Sequence, residues 1–340
     1  MRIATYNVEW FTHLFDDEGA IVADGGWSGR RDIRRADQLA ALGHVFQTID
    51  ADAVMVIEAP DDHARRDGVR ALETFAGAFD LRARRGLLGF SNQTQQEIAL
   101  LYDPDVLKVG HDPIGPLAGK ASLEAAPRFD GVFNIDLDID ATPDRVRWSK
   151  PPLELACTTA GGSTFRMIGV HAKSKAPHGA VGPDEVMRVS IANRRKQLAQ
   201  CVWLRRRVDQ HLEAGDPLIV LGDFNDGPGL DEYEKLFGRS GVEIVLGAGA
   251  GALFDPHARA ATTQRLGATP TTARFFLAHE GRYLQALLDY IMVSPDLRSD
   301  DARWRIWHPF EDWECYRDAA MREALLIGSD HFPVTLDLPL

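Results

Sequence analysis

Asp330 and His331 stand side by side in Gly328-Ser329-Asp330-His331-Phe332-Pro333, between the apolar runs 324–327 and 333–338. Neighbours at a strand end face opposite ways. An acid and an imidazole delivered together to one rim could hold a metal ion and a proton donor within reach of a single phosphate. An Asp-His pair alone is equally the mark of a surface turn. Here four further polar clusters stand in the same setting, each at the end of an apolar run.

Hydrolysis of a phosphate ester near neutral pH needs a hard cation, an activated water and donors for the phosphoryl oxygens. It also needs an acid or second cation for the leaving oxygen. Mg²⁺ takes oxygen ligands, commonly one or two carboxylates plus waters, so isolated acids at strand ends suit it better than a Cys/His cage. Glu58 closes the apolar run 53–57. Asp223 and Asn225 flank Phe224 directly after the run 218–221. Two apart on an extended segment, they face the same way, so a base and a neutral donor converge on one water and one phosphate.

His171 follows the run 167–170 and precedes Lys173-Ser174-Lys175. An imidazole beside two ammonium groups suits a phosphate, and such a lysine pair is as readily a solvated loop. Asp289 lies inside Leu287-Leu288-Asp289-Tyr290-Ile291-Met292-Val293. A carboxylate in so apolar a run is costly unless paired, and a histidine partner or backbone amides would satisfy it.

The elements that must position these groups read as follows. Strands are expected at 2–8, 53–57, 97–102, 132–137, 218–221, 287–293 and 332–338, with a hairpin of 153–158 and 164–170 around Gly161-Gly162. Apolar spacing predicts helices at 31–50, 67–79 and 183–213. Residues 11–29 and 255–280 read as loops, and the glycine-rich 247–251, lacking the Gly-Lys-Ser/Thr of a phosphate loop, as a connector. Helices alternating with strands early and paired strands later indicate α/β with much antiparallel pairing.

The 340 residues carry a net charge of −12. No global positive field attracts nucleic acid, which argues against a non-specific DNA coater but not against an enzyme with a local basic groove. Arg194-Arg195-Lys196 and Arg205-Arg206-Arg207 could supply local positive charge or form the solvated face of helix 183–213. Cys157, Cys201 and Cys315 lack metal-site spacing and read as buried or incidental thiols. With no apolar signal core and no stretch long enough to span a bilayer, a cytoplasmic protein without a membrane or obligate protein partner is expected.

The motifs Tyr6-Asn7-Val8-Glu9, Ile57-Glu58, Gly169-Val170-His171-Ala172-Lys173-Ser174-Lys175, Leu221-Gly222-Asp223-Phe224-Asn225-Asp226, Leu288-Asp289-Tyr290-Ile291 and Gly328-Ser329-Asp330-His331-Phe332-Pro333 occur in that order. Together they resemble the endonuclease/exonuclease/phosphatase superfamily, over residues 3 to about 338. The resemblance implies one catalytic domain over 1–340 with the DNase I-like fold, a four-layer α/β/β/α sandwich of two mixed sheets with the site at one rim. It implies Glu58 as principal Mg²⁺ ligand (Mn²⁺ as substitute), with Asp330, Glu9 and Asn7 around the ion. Asp223 would orient or deprotonate the attacking water and Asn225 would donate to phosphate. His331, oriented by Asp289, would contact phosphate, and His171 would contact a second phosphate oxygen or the leaving group. Glu97 resembles the acid that pairs with that histidine. Trp148-Ser149-Lys150-Pro151-Pro152-Leu153 is similar to an Arg-Pro-Pro-Leu stretch, with Lys for Arg.

The chain departs from the family's pattern at Ile57, where Gln is usual, and at Ala59-Pro60 after the acid. Leu287-Leu288-Asp289-Tyr290-Ile291 also differs from the inositol-phosphatase pattern. The expectation is a metal-dependent phosphodiesterase acting on DNA or RNA. A phosphomonoesterase or small-molecule phosphodiesterase is the alternative, and a non-catalytic binding module the third reading.

Overall fold

The structure is a computed structural model and describes residues 1–116, 126–135, 144–177, 179–227, 238–263, 269–277 and 281–340. Two mixed sheets lie face to face. The first runs β14 (Arg303–Ile306), β15 (Val334–Asp337), β1 (Arg2–Asn7), β2 (Ala53–Ala59), β4 (Glu97–Tyr102), β3 (Arg85–Leu88). The second runs β13 (Asp289–Val293), β10 (Leu218–Asp223), β9 (Thr164–His171), β8 (Leu153–Thr159), β5 (Leu107–His111). Two small hairpins stand apart, β6 (Phe133–Ile135) with β7 (Asp144–Val146) and β11 (Ala273–Leu277) with β12 (Arg282–Ala286).

The central strands are apolar throughout because both their faces are covered, as buried parallel strands require. Ile3, Met55 and Ile57 of the first sheet meet Met167, Leu221 and Ile291 of the second. Their sequence neighbours Ala4, Val54 and Val56 turn outward, under α1 (Arg35–Ile49), α2 (Gly68–Ala78) and a late helix, Ala319–Gly328. Ile168, Val170 and Val220 turn outward beneath α3 (Pro183–Ala214), against Trp203 and Leu204. The result is the expected α/β/β/α sandwich. Removing any one such aliphatic side chain costs roughly 2–5 kcal/mol.

Local signals fix the helix ends. Asp67 caps α2 by accepting from the Arg70 amide, and Asp318 caps Ala319–Gly328 in the same way through Met321. α3 opens on Pro183 and ends at Gly215 in the left-handed region.

Several elements differ from the sequence expectation. The loop expected at 255–280 contains α5 (Pro256–Thr263) and β11, while 264–268 and 278–280 lie outside the described residues. The connector 247–251 follows α4 (Gly241–Leu246), whose start Ser240 and Glu243 fix by a capping box, and includes a 3₁₀ turn at Gly249–Gly251. Strands β3, β5, β7, β12 and β14 are short or edge elements with mixed polarity, so alternation gave no signal for them.

Three of the six basic residues in these runs on α3 are turned inward, while Arg195, Lys196 and Arg206 stay half-buried at the surface. Arg194 is buried against Asp226 at 2.7 Å, and Arg207 is buried against Glu154 at 3.0 Å. Arg205 donates to the carbonyls of Val245 and Leu246 at the end of α4. All three cysteines are buried and free. Among the described residues no helix is long and apolar enough to cross a membrane.

Candidate active site

Strand polarity gathers the polar residues. β1 runs parallel to β2, and β9 parallel to β10, so Asn7, Glu58, His171 and Asp223 all emerge at strand ends on one rim. β13 runs antiparallel to β10, with Asp289 paired to Asp223. β15 runs antiparallel to β1, which brings the preceding Asp330-His331 to the same edge. Six distant segments of sequence therefore share one rim because of their directions alone.

Asp223 is the centre of this rim and is buried. Its Oδ2 accepts from the side-chain amides of Asn7 and Asn225, each at 3.0 Å, and its Oδ1 accepts from the Asn225 backbone N–H at 2.7 Å. Gly222 makes this placement possible: at φ 133°, a Cβ there would sit 2.1 Å from the Val170 carbonyl oxygen. Asn225 adopts a left-handed φ of 49°, which asparagine tolerates better than most residues. Gln197 on α3 secures that turn by donating to the Phe224 and Asn225 carbonyls at 3.2 and 2.8 Å. Burial pushes the Asp223 carboxyl up to about 7, although His331, Lys150 and the Asn225 amide favour its ionised form.

His331 and Asp289 form the second unit. Nδ1 of the imidazole lies 2.7 Å from Asp289 Oδ2, both residues buried. Burial alone would disfavour the imidazolium, but the charge and hydrogen bond of Asp289, with Asp223 and Asp330 nearby, carry His331 well above the ordinary histidine range. Thr272 Oγ1 accepts from the amides of Leu288 and Asp289 at 2.9 and 3.0 Å, while its carbonyl accepts from Phe332. The Phe275 ring meets His331 edge to face at 5.5 Å.

His171 joins the two sheets. Its Nε2 lies 3.9 Å from Glu58 Oε1 and 3.6 Å from Asp223 Oδ2, but the nearest partner is Lys150 Nζ at 2.9 Å, which also donates to Gln96 Oε1 at 2.9 Å. Burial and the adjacent Lys150 ammonium hold His171 well below its usual range, and burial brings Lys150 down to about 8. Accepting at Nε2 leaves the proton on Nδ1, which is buried with no hydrogen-bond partner.

The expected pairing of Glu97 with His171 is not formed. Glu97 instead accepts from the Asn92 backbone and side-chain nitrogens at 3.1 and 2.6 Å, and burial pushes it up to about 7.

Glu58 departs from regular strand geometry. Its φ is 61°, and the β2–β4 register shifts between Ile57 and Ala59. A non-glycine residue held there costs of order 1–3 kcal/mol, a strain typical of functional sites. The bulge turns the side chain off the strand's alternation and onto the rim. Burial pushes its carboxyl up, opposed by Lys150, His331 and the Trp10 backbone amide.

Glu9 pairs with Arg30, and burial and the nearby Asp330 push it up to about 7. Ser329 fastens this corner by donating to the Asn7 carbonyl at 2.7 Å and accepting from the Glu9 and His331 amides at 3.2 Å. Of the two lysines after His171, Lys175 donates to buried Asp226 at 2.6 Å. The Lys173 amide donates to Gln200, and burial and Lys196 lower its ammonium.

The oxygen donors fit a hard cation. Glu58, Asp330 and Glu9 repel one another, and Asn7 Oδ1 is a buried acceptor with no partner. Glu9 is the weakest member of that set because Arg30 already neutralises it. A tighter cluster of potential ligand atoms, within 4.8 Å among the described residues, is Asp223, Asp289 and His331. There the His331–Asp289 hydrogen bond already satisfies the charge, so the group reads as a proton-handling unit.

Sequence reasoning passed over Gln96, Arg30, Gln197 and Asp226, and touched Lys150 only as a substitution. Asp226 carried a signal as the third polar residue of Asp223-Phe224-Asn225-Asp226, whereas Gln96 beside Glu97, Gln197 after the run Arg194-Arg195-Lys196, and Arg30 after the loop 11–29 are neutral or basic neighbours with no pattern of their own.

Fold and rim together define the DNase I-like class. The family model of the Endonuclease/Exonuclease/phosphatase family matches residues 4–331, and the chain belongs to this family of phosphoester hydrolases. Two crystal structures of TDP2 from Caenorhabditis elegans are each 14% identical, with TM-scores of 0.52 and 0.51. They cover 98% and 99% of this chain and 74% and 73% of theirs. A mannosyl-6-phosphatase from Bacteroides thetaiotaomicron is 14% identical, with full coverage of both chains and a TM-score of 0.47. At these identities the TDP2 likeness concerns the fold. No curated protein matches in sequence.

Proposed function

We propose that the chain is a single-domain, divalent-metal-dependent phosphodiester hydrolase acting on nucleic acid. One observation carries this reading: buried Asp223 is held by two amides from opposite sheets, beside the His331–Asp289 pair.

Asp223 takes the role of orienting and deprotonating a water. Asn7 and Asn225 fix its two oxygens so that no reorganisation is needed at reaction. His331, kept protonated and oriented through Nδ1, presents Nε2 to a phosphoryl oxygen. The Lys150 ammonium, positioned 2.9 Å from Nε2 of neutral His171, faces the leaving or second non-bridging oxygen. Glu58 and Asp330, supported by the orphaned Asn7 Oδ1, would hold Mg²⁺ or Mn²⁺. The ion's contribution there is to neutralise phosphoryl charge.

A phosphomonoesterase is the second reading. It is favoured by the burial of Arg194 and Arg207, which removes two cations from any basic groove. A comparison of DNA, RNA, bis-p-nitrophenyl phosphate, p-nitrophenyl phosphate and inositol phosphates, with and without EDTA, tests both. The diesterase reading expects metal-dependent cleavage of nucleic acid and the bis-ester. Release of inorganic phosphate from monoesters with nucleic acid untouched would reverse the choice.

A further inference from the structure

Beside the rim, the β11–β12 hairpin displays cations and aromatic rings in alternation. Ala273 pairs with His331, so Phe275 shares the histidine's face and Arg274, Phe276 and Tyr283 take the other. On that second face the Arg31 guanidinium lies 3.6 Å over the Phe276 ring, and Phe276 meets Tyr283 at 5.2 Å. The Arg274 guanidinium lies 3.4 Å over Tyr283 and 5.6 Å from Phe310.

The strip begins next to the acid cluster, because Arg31 follows the Arg30 that pairs with Glu9. Large rings are left in solvent: Tyr283 is 48% and Phe310 45% exposed. Among the described residues no carboxylate forms an ion pair with the Arg274 side chain. Arg31 meets only its neighbour Asp32 at 3.3 Å, an exposed pair of little worth. A two-stranded hairpin is marginal by itself, and exposed rings give it no core.

We propose that this strip, Arg31–Phe276–Tyr283–Arg274–Phe310, is a stacking platform for single-stranded nucleic acid, which it guides to the site. The inference rests on the phosphodiesterase reading for its purpose, but not for its test. Stacked bases replace water on the exposed rings, and the guanidiniums neutralise phosphates along the strand. Unpaired bases are required because a duplex hides their faces. On a chain of net charge −12, guanidiniums left unpaired (Arg274) or only weakly paired at the surface (Arg31) next to a phosphate-handling rim are where a polyanion finds complementarity.

The test is fluorescence anisotropy of a labelled oligothymidylate with the full chain in EDTA, where binding is read without turnover. Tyr283→Ala should weaken binding about tenfold. Arg274→Gln should weaken it and lower the salt slope by about one ion. Tyr283→Trp should bind at least as well as the native chain, which separates lost stacking from misfolding. Hydrolysis of bis-p-nitrophenyl phosphate should stay within about twofold in all three, since neither side chain bonds a rim acid and the Arg274 backbone N–H, which donates to the Asp330 carbonyl at 2.7 Å, is kept in every variant.

Native-like affinity of Tyr283→Ala and Arg274→Gln would overturn the proposal. So would equal affinity of the native chain for a blunt duplex, or no binding at about 100 µM, the weak end of non-specific affinity. Failure to cleave any phosphoester with intact strand binding would instead sink the hydrolase reading and leave the platform standing.

Discussion

Asn7 ends β1 of one sheet, Asp223 ends β10 of the other, and the Asn7 amide donates to Asp223 Oδ2 at 3.0 Å. This bond ties the layers together at the rim and sets the carboxylate's orientation. Asn7→Ala removes a donor to a charged acceptor, worth about 1.5–3 kcal/mol. The expected result is a roughly 10- to 100-fold fall in kcat/KM on bis-p-nitrophenyl phosphate with unchanged circular dichroism. An unaltered rate would mean the bond only packs the sheets.

The acid that acts on water must be ionised, and burial pushes Asp223 up to about 7. The rate should therefore rise with pH through neutrality and fall about tenfold per unit below it. Saturating Mg²⁺ favours the carboxylate and should move the limb to lower pH. A kcat/KM profile flat down to pH 5 at low metal would exclude Asp223 as the titrating group.

The metal-free chain should show a proton balance on folding that involves other acids. Glu97 and Glu9 are raised to about 7 in the folded state, chiefly by burial, against about 4.3 in an unfolded chain. Between these values the folded chain holds protons on them that the unfolded chain releases, so their contribution to stability is lost as pH rises from about 4 to 7. His111, His171, His257 and His308, lowered chiefly by burial, contribute the opposite slope, so the readout is the difference in Tm between Glu97→Gln and the native chain in EDTA. That difference should move in the variant's favour as pH rises from about 4 to 7, and a difference independent of pH would contradict the Glu97 assignment.

How much of this was legible in the sequence follows from what each segment must satisfy. Glu58, Asp223 and His331 stand after or before runs apolar enough to be buried on both faces, and strand direction then determines the rim. The His331–Asp289 pair was legible because an acid inside Leu287–Val293 has to find a partner. The Lys150–His171 contact was not, since Glu97 was an equally reasonable partner until Asn92 was seen to hold it. The bulge at Glu58 left no trace, because strain is supplied by neighbours rather than by composition. Arg194 and Arg207 read as surface charge because their acidic partners, Asp226 and Glu154, lie 32 and 53 residues away in sequence.

Glu58→Gln separates metal binding from chemistry. Losing the carboxylate should raise the Mg²⁺ concentration for half-maximal activity by about tenfold or more, with much of kcat recovered at saturating metal. An identical Mg²⁺ titration would place the ion on other acids.

The central claim is that Asp223 acts on water at a metal-dependent rim. Its most direct test is the turnover of bis-p-nitrophenyl phosphate by Asp223→Asn at saturating Mg²⁺, beside the native chain with and without EDTA. The account predicts a loss of about 10²–10⁴-fold, with the fold retained and native activity abolished by EDTA. Native-like turnover by the asparagine variant would contradict it.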